Sequence, residues 1–146
     1  RPGRKTPSMT MTRPNAISTH GYSETMPCEP ESASRARRLV RAALSTWDLG
    51  NLIEDGTLII SELVGNSVRH SGCRLLRVSV RLPERDRVRL AVTDKCLQPP
   101  TALTPRGDEE TGRGLLLVEA MADRWDTEYR AWGKTVWAEL RAKADS

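Results

Sequence analysis

Phenylalanine is absent from this chain of 146 residues, and all aromatics together make up 4% of it, so any core must be built from aliphatic side chains. Nucleic-acid surfaces commonly interleave basic residues with stacking aromatics, and no such stripe appears. The cysteines are three, Cys28, Cys73 and Cys96, with no C-x-x-C spacing, which gives neither a disulfide framework nor a zinc site. No apolar run approaches the ~20 residues needed to span a bilayer. The basic start, Arg1 to Thr12, lacks the apolar segment of a signal peptide. These absences point to a soluble, cytoplasmic protein.

What is present is an ordinary globular balance, 38% hydrophobic and 29% charged, in a length that suits one domain with a real core. The net charge of +4 comes from arginines spread along the chain, which favours acidic partners without specifying one. Residues 1–19 are rich in Pro, Thr, Ser and Arg with little to bury, and are expected to form a flexible leader before a single domain over residues 20–146.

Alternation at Tyr22, Glu24 and Met26 predicts a first edge strand closed by Pro27 and Pro30. Ser32 is an N-cap candidate for a helix whose apolar positions Ala33, Ala36, Leu39, Val40, Ala43, Leu44 and Trp47 recur at helical spacing. A second helix follows from about Leu52 to His70, closed by Ser71-Gly72. Leu76, Val78, Val80 and Leu82 alternate with Arg77, Ser79 and Arg81, and Val88, Leu90 and Val92 alternate again after a turn at Pro83 to Asp86, a hairpin with one buried face. From Lys95 to Thr111 the periodicity is lost, and a loop of that length reads as a lid. Gly112-Arg113-Gly114-Leu115 opens a third helix, and Trp125 to Leu140 closes the chain with a hairpin turning at Ala131 to Lys134. The order predicts an α+β fold, a two-layer sandwich of a mixed, mostly antiparallel sheet packed on helices.

Three places on this frame carry chemistry. Glu62 and Asn66 lie four apart on the second helix and therefore on one face, pairing a carboxylate that can accept a proton with an amide oxygen suited to Mg²⁺. Many solvated helix faces share that spacing. Asp94 is delivered by a strand to the edge of the sheet. The glycine pair Gly112 and Gly114 at a helix start lets backbone N–H groups approach phosphate, although glycines also simply end long loops.

Together Ser61-Glu62-Leu63-Val64-Gly65-Asn66-Ser67-Val68-Arg69-His70, Asp94 after its strand, Gly112-Arg113-Gly114-Leu115 and Gly133-Lys134-Thr135-Val136-Trp137 resemble the boxes of the GHKL (Bergerat-fold) ATPase superfamily, which includes gyrase, histidine kinases and the heat-shock chaperone. The chain is most similar to the small anti-sigma factor serine/threonine kinases and related actinobacterial ATP-binding regulatory proteins, over about Tyr22 to Leu140. The resemblance implies ATP and Mg²⁺ as cofactors. Asp94 would accept the exocyclic amine of adenine, Asn66 would hold Mg²⁺, and Glu62 would be the general base. Gly112, Arg113, Gly114 and Leu115 would frame the phosphates, and Thr135 would touch the adenine side. It implies a sigma factor and an anti-sigma antagonist as partners, with a homodimer plausible and no direct contact with nucleic acid or membrane. A catalytically silent nucleotide-binding module is the alternative. The family's Asp-x-Gly reads Asp94-Lys95-Cys96 here.

Overall fold

The computed structural model describes residues 16–17, 21–95, 115–131 and 133–142. Six strands form one sheet, β1 (Ala16–Ile17), β2 (Gly21–Pro27), β3 (Leu75–Glu84), β4 (Arg87–Lys95), β5 (Arg124–Arg130) and β6 (Gly133–Arg141). Their order across the sheet is β1-β2-β3-β4-β6-β5, and every described pairing is antiparallel, where a mixed sheet had been expected. Among the described residues three helices accompany it, α1 (Ser32–Thr46), α2 (Ile53–His70) and the short α3 (Leu116–Met121), with a 3-10 turn over Gly50–Leu52. The architecture is α+β. Two residues of the stretch expected as a leader join the sheet, Ala16 opposite Tyr22 and Ile17 opposite Gly21.

One face of the sheet meets the helices. Leu76, Val78 and Val80 of β3, Val88, Leu90 and Val92 of β4, and Val136, Ala138 and Leu140 of β6 are buried on it, every second residue, as the pleat requires. Against them lie Ile59, Ile60, Leu63 and Val64 of α2, each 0% exposed. The core is aliphatic apart from Met26, as the missing phenylalanine requires. Helices α1 and α2 approach closely at Gly56, where an added Cβ would lie 3.2 Å from both Val40 and Leu44.

The helix ends differ in part from expectation. Ser32 is the first residue of α1 rather than its cap. Its hydroxyl donates to the Pro27 carbonyl at 2.6 Å, tying the helix start back to β2. Gly72 ends α2 with φ +72°, a left-handed conformation that glycine adopts without strain. Cys73 just beyond is disulfide-bonded, which the cysteine spacing did not foretell, while Cys28 is a free thiol.

Among the described residues no helix packs on the second face, which is lined by its own long side chains. Glu139 of β6, 1% exposed, accepts hydrogen bonds from Arg87 at 3.1 Å, Arg89 at 2.8 Å and Arg124 at 2.8 Å. Arg89 lies over the Trp137 ring, 4.0 Å from its centroid. The Arg89 guanidinium thus both covers the aromatic ring and helps neutralise the buried acid.

Burial alone would push the Glu139 carboxyl up, but hydrogen bonds from Arg124, Arg89 and Arg87 outweigh it and hold the group below its ordinary value. In the unfolded chain the same carboxyl titrates at that ordinary value, so the network stabilises the fold fully at neutral pH. Its contribution declines as pH falls past the unfolded value and is gone below the folded one. Replacing Glu139 by Gln is expected to lower the urea midpoint at pH 7 and to flatten its decline toward pH 3. A variant with the wild-type acid slope would show that Glu139 carries none of that dependence.

Candidate nucleotide site

The site is assembled where the C-terminal half of α2 faces the ends of β4 and β6. Asp94 falls in register with Val88, Leu90 and Val92, so its side chain points to the helix-covered face, and the residue is 2% exposed. A carboxylate so enclosed needs donors. Ser67 of α2 donates its hydroxyl to Oδ1, and Lys134 of β6 donates from Nζ to Oδ2 at 2.9 Å. The carboxylate is therefore fixed from a helix on one side and a neighbouring strand on the other.

Both partners had a readable signal. Ser67 lies four residues after Leu63 and so on the apolar stripe of α2, where a hydroxyl is unexpected without a bond to make. Lys134 lies two residues before Val136 and so on the core face of β6. The same alternation puts Thr135 on the opposite face. Its hydroxyl is 2.8 Å from that of Thr93, away from Asp94, whereas Lys134 stands beside the carboxylate; Thr135 was expected on the adenine side.

Gly133 explains how β6 comes so near. An added Cβ at this residue would be 2.5 Å from the Asp94 carbonyl oxygen and 3.2 Å from Asp94 Cβ, so only a residue without a side chain permits this approach. The chain reverses between Arg130 and Gly133, which are paired, and runs straight into the contact.

Asn66, next to Ser67, is 0% exposed. Neither its Oδ1 nor its Nδ2 has a hydrogen-bond partner among the described residues. An unpaired buried amide is costly, and in native structures such a group usually marks an ion, a ligand or water. Glu62, one turn earlier on the same helix, is partly exposed and makes no hydrogen bond or ion pair among the described residues. Its carboxylate is free to take a proton. Among the described residues no three acidic, histidine or cysteine side chains cluster in a way that would hold a metal by themselves. The donor set instead fits Mg²⁺, which keeps most of its waters and is commonly held through one or two protein oxygens plus phosphate. The amide oxygen of Asn66 can be that protein ligand.

Leu115 is 1% exposed and belongs to the hydrophobic core, with α3 following it and packed on α2. Its side chain thus serves packing. Gly112, Arg113 and Gly114, the long loop expected as a lid, and Cys96 lie outside the described residues.

An enclosed acid, an orphaned amide one residue from its tether and a free carboxylate one turn earlier on α2 thus lie at one end of the helix–sheet interface. Residues 26–140 match the histidine kinase-like ATPase domain, and with well over half of its length matched the chain belongs to that family. It is thus of the GHKL type, the superfamily that its motifs resemble. No curated protein matches the chain significantly. No helix among the described residues is long and apolar enough to cross a membrane.

The contact at Gly133 is open to a direct check. Gly133→Ala is expected to displace the Asp94 backbone, to cost about 1–3 kcal/mol in denaturant unfolding, and to weaken ATP binding. Gly72→Ala, strained by its φ yet with nothing within 4 Å of the new Cβ, is expected to lose stability and keep its ATP affinity. Equal ATP affinities in both variants would separate the Gly133 contact from the site.

Proposed function

We propose that the protein is an ATP-binding regulator that acts as a serine/threonine protein kinase of the anti-sigma type, binding a sigma factor and phosphorylating an antagonist protein. One observation supports the site most: Asn66, fully enclosed and unpaired at both amide atoms, on the face of α2 that carries the free carboxylate of Glu62. Family membership supports the nucleotide. The sigma factor, the antagonist and a homodimer come from the sequence resemblance, and a cytoplasmic setting from the composition.

In this reading the base of ATP meets Asp94, and the phosphates extend along α2 toward Asn66. Mg²⁺, when bound at Asn66, would neutralise phosphate charge. Glu62 takes the proton from a serine or threonine hydroxyl of the partner as that oxygen forms its bond to the γ-phosphorus. The bond from the γ-phosphorus to the bridging oxygen breaks, and ADP departs with the electron pair. The protein's task is positioning and charge stabilisation, for which a rigid helix carrying both Glu62 and Asn66 is suited.

Glu62→Ala is expected to lower phosphotransfer or ATP hydrolysis by about 10²–10⁴-fold while ATP affinity stays close to that of the wild type. Asn66→Ala is expected to abolish the dependence of ATP affinity on Mg²⁺. Wild-type turnover in the Glu62 variant would remove the proposed base, and a wild-type protein that binds ATP without any turnover would leave a nucleotide-gated interaction module in place of a kinase.

A further inference from the structure

Lys134 does more at this site than balance a charge. The residue is 9% exposed, on the core-facing side of β6, and its one hydrogen bond among the described residues runs to Asp94 Oδ2 at 2.9 Å. An ammonium group carries three N–H donors. The remaining donors are thus enclosed beside a carboxylate that keeps lone pairs of its own, since each of its oxygens has one donor and can accept another. Donor and acceptor stand side by side, a spacing that suits adjacent atoms on the edge of a heterocycle.

Resting on the reading that this site takes ATP, we infer that Lys134 is the second reader of the base. Asp94 accepts the exocyclic amine of adenine, and Lys134 donates to a ring nitrogen flanking that amine, either N1 or N7. Guanine fits poorly in the same pose. It presents a carbonyl oxygen where Asp94 offers an acceptor, so two lone-pair groups face each other with no proton between them. The pair therefore selects adenine over guanine. Lys134 is a specificity-determining residue, with no part in the phosphoryl transfer itself.

Calorimetric titration of the whole chain with ATP, GTP, 1-deaza-ATP and 7-deaza-ATP tests this, using wild type, Lys134→Met and Lys134→Arg. Methionine keeps an unbranched stem, one heavy atom shorter than that of lysine, and removes its donors, while arginine keeps them. The wild type should bind ATP at least about tenfold tighter than GTP and lose about tenfold with one of the two deaza analogues. In Lys134→Met that analogue should bind within about twofold of ATP, whereas Lys134→Arg should keep the difference. A wild type indifferent to both ring nitrogens, or a methionine variant with the full wild-type penalty, would overturn the inference while leaving the ATP site standing. A wild type that binds no adenine nucleotide would overturn both. Should Lys134→Met fail to fold in a melting check, the wild-type analogue series and the arginine variant decide the matter alone.

Discussion

A carboxylate sealed to 2% exposure must be met by donors, and Asp94 meets them from two elements that are far apart along the chain. Ser67 brings in the end of α2, and Lys134 brings in the start of β6. Because α2 also carries Asn66 and Glu62, the same two bonds place the orphaned amide and the free carboxylate relative to the floor of the site. Replacing one partner alone would leave a buried charge or acceptor uncompensated, so the arrangement resists piecemeal change. A buried ion pair of this kind does not by itself argue for stability; its value lies in orientation.

The two faces of the sheet divide the work. The helix-covered face buries aliphatic residues along β3, β4 and β6 and carries the enclosed polar pair Asp94 and Lys134 at one end. On the other face a single glutamate gathers three arginines, two of which lie over Trp137. Thr93 and Thr135 belong to that second face, which separates them from the Asp94–Lys134 pair by the thickness of the sheet. A helix-and-sheet packing this regular is what allows a few irregular polar groups to be held at fixed positions.

Much of this was legible in the residues. Alternation in β3 and β4 gave a hairpin with one buried face, and the 3.6-residue recurrence in α1 and α2 gave two amphipathic helices. Glu62, Asn66 and Asp94 could be named because each type is chemically distinctive in its setting. Thr135 illustrates the limit. In a strand, a shift of one residue turns a side chain to the other face, and only the pairing with β4 decides that Lys134 stands beside Asp94. Ser32 is similar: a serine before an apolar helix reads as a cap, yet the carbonyl of Pro27 was nearer to its hydroxyl than the helix's own N–H groups. The tethering of Asp94 by Ser67 spans 27 residues, and the approach of Gly133 to Asp94 depends on a fold no local pattern encodes.

The proposed function requires that α2 and the β4–β6 pair grip one nucleotide between them. A crystal structure of the chain with a non-hydrolysable ATP analogue and Mg²⁺ is the most direct measurement. It should show the base against the carboxylate of Asp94 and the cation on the amide oxygen of Asn66. Density for the analogue on the arginine-lined face, or for a cation bound away from α2, would contradict it.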